Sequence, residues 1–75
     1  MKKFEDKSIY DEVEDFHNGF AAVKRNGKWG FVNKQGKEAV PCKYDYVGSF
    51  SDGFAKVKLN GKLGKVNTRG EEFWD

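Results

Sequence analysis

The chain has 75 residues, a formal net charge of +2, 35% charged residues, one cysteine and one histidine. An intramolecular disulfide and a four-ligand Cys/His zinc site are thereby excluded, and the near balance of charge creates no general pull toward nucleic acid or a membrane surface. No apolar run reaches signal-peptide or membrane-spanning length, so a cytoplasmic protein is expected, with Cys42 kept as a thiol.

A core this small supplies only a few kcal/mol of net stability, so the two Trp, three Tyr and seven Phe need tight repetition or association to be buried. Repetition is evident. Phe16 to Gly36 (FHNGFAAVKRNGKWGFVNKQG) returns as Phe50 to Gly70 (FSDGFAKVKLNGKLGKVNTRG) at a constant offset of 34 residues. A period in this range marks a repeat architecture. The chain is read as a single domain, residues 1–75, comprising an N-terminal cap segment over 1–9, a first repeat over 10–43 and a second over 44–75.

Met1 to Ile9 is polar apart from Phe4 and Ile9 and corresponds in position to Lys37–Lys43, which suggests a degenerate strand capping the first repeat. Tyr10–Asn18 and Tyr44–Asp52 place Tyr, Val and Phe three residues apart, but their shortness and Gly48 oppose a stable helix. They are expected to form ordered looping connections whose apolar side chains enter the core, closed by turns at Asn18-Gly19 and Asp52-Gly53. The alternating runs Phe20–Arg25 and Lys28–Asn33 flank Asn26-Gly27, and Phe54–Leu59 and Lys62–Asn67 flank Asn60-Gly61. Asn-Gly between alternating runs predicts a hairpin with a type I′ turn. Asn33-Lys34-Gln35-Gly36 and Asn67-Thr68-Arg69-Gly70 suit a type I turn with a glycine bulge, leading into third strands at Lys37–Val40, which Pro41 ends, and Glu71–Trp74. The fold class is all-β: two tandem antiparallel β-meander repeats.

A two-residue turn at Asn26-Gly27 sets Arg25 opposite Lys28, Lys24 opposite Trp29, Val23 opposite Gly30, Ala22 opposite Phe31 and Ala21 opposite Val32. Alternation then gives an apolar face of Ala21, Val23, Gly30 and Val32, matched in the second copy by Ala55, Val57, Leu59, Gly64 and Val66. Its small residues leave room for the rings of Tyr10, Phe16, Tyr44 and Phe50, and Gly30 and Gly64 mark close approach of a ring or a backbone. The opposite faces diverge: Phe20, Ala22, Lys24, Trp29 and Phe31 in the first copy, against Phe54, Lys56, Lys58, Leu63 and Lys65 in the second. Either the chain ends, Met1–Ile9 and Phe73-Trp74, cover the first aromatic face, the expectation for a repeat protein that must close its ends, or that face binds something.

Gly19-Phe20-Ala21-Ala22-Val23, Asn26-Gly27-Lys28-Trp29-Gly30-Phe31-Val32-Asn33 and Gly36-Lys37 resemble the bacterial WG-repeat (KWG-repeat) family. In that family a Gly-hydrophobic-Ala-x-Val run, a Trp-Gly pair and a Gly-Lys turn recur, and Tyr-Asp precedes the next unit. The second copy departs from the pattern, with Leu63-Gly64 for Trp-Gly and Lys65 for the following aromatic. The resemblance implies an all-β repeat protein serving as a binding or interaction module, with no catalytic residues to transfer.

The residues themselves point away from an enzyme. His17 is matched by Ser51, which suits polar turn capping, and a Cys42/His17 nucleophile and base pair has no evident orienting third group. Asp11 and Asp45 suit bonds to turn backbone, and Glu12, Glu14 and Asp15 a solvated acidic edge. No cofactor-binding motif or metal site is expected. Binding candidates are Phe20, Trp29 and Phe31, with Lys24 placed for a cation–π contact to Trp29, supplemented by Lys56, Lys58 and Lys65 on the second hairpin. A protein partner or self-association is the favoured reading. Carbohydrate of the cell-wall type, stacking on the aromatics, and single-stranded nucleic acid on the lysine face are the alternatives, the latter disfavoured by the balanced charge and by the common use of strand lysines as protection against aggregation.

Overall fold

A computed structural model describes residues 9–75. They form eight strands in two four-stranded antiparallel sheets, each with its strands in sequence order. The first sheet holds β1 (Glu12–Val13), β2 (Phe20–Arg25), β3 (Lys28–Asn33) and β4 (Glu38–Tyr44); the second holds β5 (Tyr46–Val47), β6 (Phe54–Leu59), β7 (Lys62–Asn67) and β8 (Glu72–Trp74). Most of the proposed N-terminal cap, residues 1–8, lies outside the described residues.

Turn chemistry sets the register. Asn26 and Gly27 have φ of 54° and 81°, and Asn60 and Gly61 53° and 82°, the two successive positive values that a type I′ turn demands. The β2–β3 pairing is therefore the expected one, from Ala21↔Val32 to Arg25↔Lys28, and β6–β7 repeats it. Asp11 and Asp45 brace these turns, their carboxylates accepting from the Asn26 and Asn60 N–H groups at 3.0 Å in both cases. Asn33 Oδ1 accepts from the N–H groups of Gln35 and Lys37 at 2.9 and 3.0 Å, which holds the bulged turn into β4.

Two segments differ from expectation. The looping connections contain short edge strands: Val13 pairs with Val23, and Val47 with Val57. The third strand of the first repeat does not stop at Val40 but continues through Pro41 to Tyr44. Phe31 pairs with Val40 and Trp29 with Tyr44, so the single residue Gly30 of β3 opposes Pro41, Cys42 and Lys43 of β4, and Pro41 sits in a bulge, where no ladder N–H is required of it. Gly30 permits this bulge, because a Cβ there would fall on the backbone of Val40 and Pro41. At Gly64 the same space is filled by the Trp74 ring. The glycine after Trp29 or Leu63 thus exists to admit the strand that crosses it.

The principal correction concerns the aromatic face of the first hairpin. Among the described residues it is covered by the second repeat, not by Phe73-Trp74; the other expected cover, Met1–Ile9, lies outside the described residues except for Ile9. Phe31, Val40, Tyr44, Phe50, Ala55, Val57 and Val66 form one buried cluster, with Phe20, Ala22, Val47 and Leu59 packed on it. The outer face of one hairpin thereby meets the inner face of the next. Phe50 is the wedge, its ring centroid 4.6 Å from that of Phe20 and 4.7 Å from that of Phe31. Phe73 instead packs on Phe54 and Trp74 lies near Tyr44. A second cluster, Ala21, Val23 and Val32 with Tyr10, Val13 and Cys42, backs the first sheet. Phe16, expected inside like Phe50, is 37% exposed.

Polar ties follow the same repetition. Tyr10 donates to Glu38 at 2.8 Å, and Tyr44 donates to Glu72. Between the repeats, Asn18 Nδ2 donates to the Phe50 carbonyl at 2.5 Å and Lys28 pairs with Asp45 at 2.6 Å.

Candidate functional site

Stacking of the sheets leaves a groove where the segment Tyr46–Phe50 crosses the first hairpin. It has a volume of about 450 Å³. Phe20, Ala22, Phe31 and Trp29 form its floor, Tyr46 to Phe50 one wall, and Glu14, Asp15 and His17 the other. The hairpin holds the floor rigid through its ladder, and the Asn18-Gly19 turn, closed by reciprocal backbone bonds between His17 and Phe20 at 2.8 and 3.1 Å, carries the His17 side chain to the rim. Backbone closes this turn, in place of the side-chain capping expected of His17.

The expected binding residues divide. Phe20 and Trp29 are half-buried and accessible from the groove. Phe31 is only 2% exposed, so it supports the floor and contributes little contact surface. Lys24 lies 5.6 Å from the Trp29 ring centroid and 4.0 Å from the Glu12 carboxylate; it shields one side of the indole. Lys56, Lys58 and Lys65 are exposed on the second sheet, away from this groove. Lys56 and Lys65 line a smaller pocket of about 280 Å³ with Tyr46, Gly48, Ser49, Ser51 and Phe54.

The two cavities are repeat-equivalents. Subtracting 34 from Gly48, Ser49, Ser51, Phe54, Lys56 and Lys65 gives Glu14, Asp15, His17, Phe20, Ala22 and Phe31. Their chemistry is opposite: carboxylates rim the first, and ammonium groups line the second. Glu14 and Asp15 make no ion pair among the described residues, whereas Lys24, Arg25 and Lys28 on the same hairpin are paired with Glu12, Glu38 and Asp45. Sequence reading missed Glu14, Asp15, His17 and Tyr46 as groove residues. The available signal was their replacement between copies, but their convergence depends on where the next repeat crosses.

Groups with shifted acidity belong to the ties between strands. Burial first, then the bond to Glu38, pushes the Tyr10 hydroxyl up to about 12. Burial and Glu72 raise Tyr44 likewise. Cys42 is pushed up to about 11 by burial and then by the Glu38 charge, and its Sγ faces the Val23 carbonyl at 3.8 Å within the inner cluster. A thiol so held is a weak nucleophile, and it packs on the sheet face opposite the one that His17 adjoins. The described residues contain no group of three or more His, Cys, Asp or Glu side chains able to hold a metal ion, and no helix long and apolar enough to cross a membrane.

Two sequential meanders, each offering its outer hairpin face to the inner face of its successor, define a tandem β-repeat protein with a groove at the junction. The family model for the WG containing repeat matches residues 7–29 and 29–62, and the chain belongs to that family. No curated protein and no solved structure matches the chain significantly.

Proposed function

We propose that the chain is a non-catalytic protein–protein interaction module that holds a short basic segment of a partner protein in the groove between its repeats. The observation that supports this reading is the pairing of an accessible aromatic floor, Phe20 and Trp29 with Tyr46 beside them, with the unpaired carboxylates of Glu14 and Asp15 on the rim. Aromatic rings supply apolar contact at low entropic cost, and a Lys or Arg side chain laid over them gains from the ring quadrupole and from the rim charge together. The groove suits a module for partner recognition in a reducing compartment, where Cys42 stays a thiol and has no chemical task.

The test is selection of heptapeptides from a random display library on the full chain, followed by fluorescence anisotropy of a selected peptide. The reading expects Lys and Arg enrichment, and a loss of affinity of about tenfold for the Glu14→Gln/Asp15→Asn double variant. Selected peptides whose affinity is unchanged by that variant and by Tyr46→Ala would refute it.

A further inference from the structure

The second sheet repeats the first, yet its outer face has no covering element among the described residues. Phe54 is 38%, Leu63 58%, Phe73 43% and Tyr46 55% exposed. In the first repeat the equivalent surface is occupied, and the structure shows by what: Tyr46–Phe50, an extended segment whose Phe50 ring wedges over Phe20 and Phe31. The same recess exists on the second sheet between Phe54 and the wall Tyr46–Ser51. Its occupant must satisfy different chemistry. Ala22 and Phe31, which meet the segment in the first repeat, are replaced by Lys56 and Lys65.

Neither lysine is ion-paired among the described residues, and Lys65 Nζ sits 4.6 Å from the Phe54 ring centroid, held over the recess. A further repeat of the same kind would lay an Ala/Val/Val face on these ammonium groups and desolvate them without compensation, which is costly. A second copy placed about a two-fold axis would oppose lysine to lysine. Placed head to tail, it would need to offer Ala21, Val23 and Val32, each 0% exposed and already enclosed. Single-stranded nucleic acid would need a longer track of cations than Lys56, Lys58 and Lys65 supply on this face, whereas the template in the first repeat is polypeptide.

We infer that the outer face of the second sheet is a second docking surface, which shares Tyr46, Gly48 and Ser49 with the groove as a common wall, and that it binds an extended acidic segment of a partner protein. That segment places an aromatic side chain over Phe54, as Phe50 lies over Phe20, and carboxylates against Lys56 and Lys65. Phe73, packed against Phe54 with centroids 5.8 Å apart, widens the apolar platform that receives the ring.

The probe is a fluorescein-labelled peptide Tyr-Val-Glu-Asp-Phe, the template segment with carboxylates in place of Gly48 and Ser49, compared by anisotropy with Tyr-Val-Gln-Asn-Phe on the full chain. The acidic peptide should bind at least about fivefold tighter, and Lys56→Gln/Lys65→Gln should abolish that preference, as two exposed ion pairs predict. Both substitutions are at exposed positions, so circular dichroism should be unchanged. Equal binding of the two peptides, or no effect of the lysine variant, overturns the inference. So does tighter, lysine-dependent binding of oligo(dT), which would assign the face to nucleic acid. Self-association in sedimentation that the lysine variant strengthens or removes would assign it to a second copy and overturn the inference equally.

Discussion

Replacing Phe50 by alanine tests the stacking of the repeats. Phe50 is 2% exposed and touches two rings of the preceding hairpin, so truncation removes a full buried ring and leaves a cavity, at a cost of about 3–5 kcal/mol. A 75-residue chain holds about 4–11 kcal/mol in total, so the variant should be near the limit of folding. Phe50→Leu, which keeps most of the apolar volume, should cost about 1–1.5 kcal/mol. With a urea slope of about 1 kcal/mol per molar, the leucine variant moves the midpoint down by about 1 M. The internal control is Phe16→Ala. This residue occupies the same position of the first repeat but is 37% exposed, and its loss should cost about 1–2 kcal/mol. Urea unfolding followed by Trp fluorescence measures all three. A Phe16→Ala cost equal to that of Phe50→Ala would refute the argument, since it would mean that position within the repeat, and not coverage by a neighbouring hairpin, decides burial.

Gly30→Ala places a methyl group on the backbone of Val40 and Pro41; thermal unfolding should show a loss of about 2–3 kcal/mol, whereas a stability-neutral variant would contradict the bulge. Lys28 chiefly, with the Asn60 N–H, holds the Asp45 carboxyl below its ordinary range, and Lys43 with Tyr44 does so for Glu72. Because the folded values lie below the unfolded ones of about 4, this stabilisation is complete above that pH and is lost as pH falls through the folded values. Urea midpoints measured from pH 6 down to 2 should decline, and Glu72→Gln should make the decline shallower. Cys42, at about 11, should react with a disulfide reagent at pH 8 roughly a hundredfold more slowly than free cysteine, and unfolding should restore the ordinary rate.

The hairpins were readable because their information is local. Asn26-Gly27 and Asn60-Gly61 fix a turn type, the turn fixes register, and period-two alternation assigns each side chain to a face. The roles of Asp11 and Asp45 as turn braces were readable for the same reason. Two-residue strands such as β1 and β5 offer too short a run for periodicity to register. The passage of β4 through Pro41 was hidden because it depends on the space above Gly30, a contact between segments whose pairing the local pattern does not set. The occupant of the Phe20/Phe31 face was illegible in a deeper sense: an apolar face states that it is covered, never by what. The same gap explains the groove. Glu14, Asp15 and His17 read as an acidic edge and a turn residue, and only the crossing of Tyr46–Phe50 makes them one wall of a site.

The stacking of the second repeat on the first is tested most directly by nuclear Overhauser contacts in a sample with isotope-labelled aromatic rings. Cross-peaks from the Phe20 and Phe31 rings to Phe50, and from Phe31 to the Val57 or Val66 methyls, are the expected result. Cross-peaks from Phe31 to Phe73 or Trp74, with none to Phe50, would mean that the chain end covers the first hairpin, and both the groove and the docking surface inferred by analogy with it would fall.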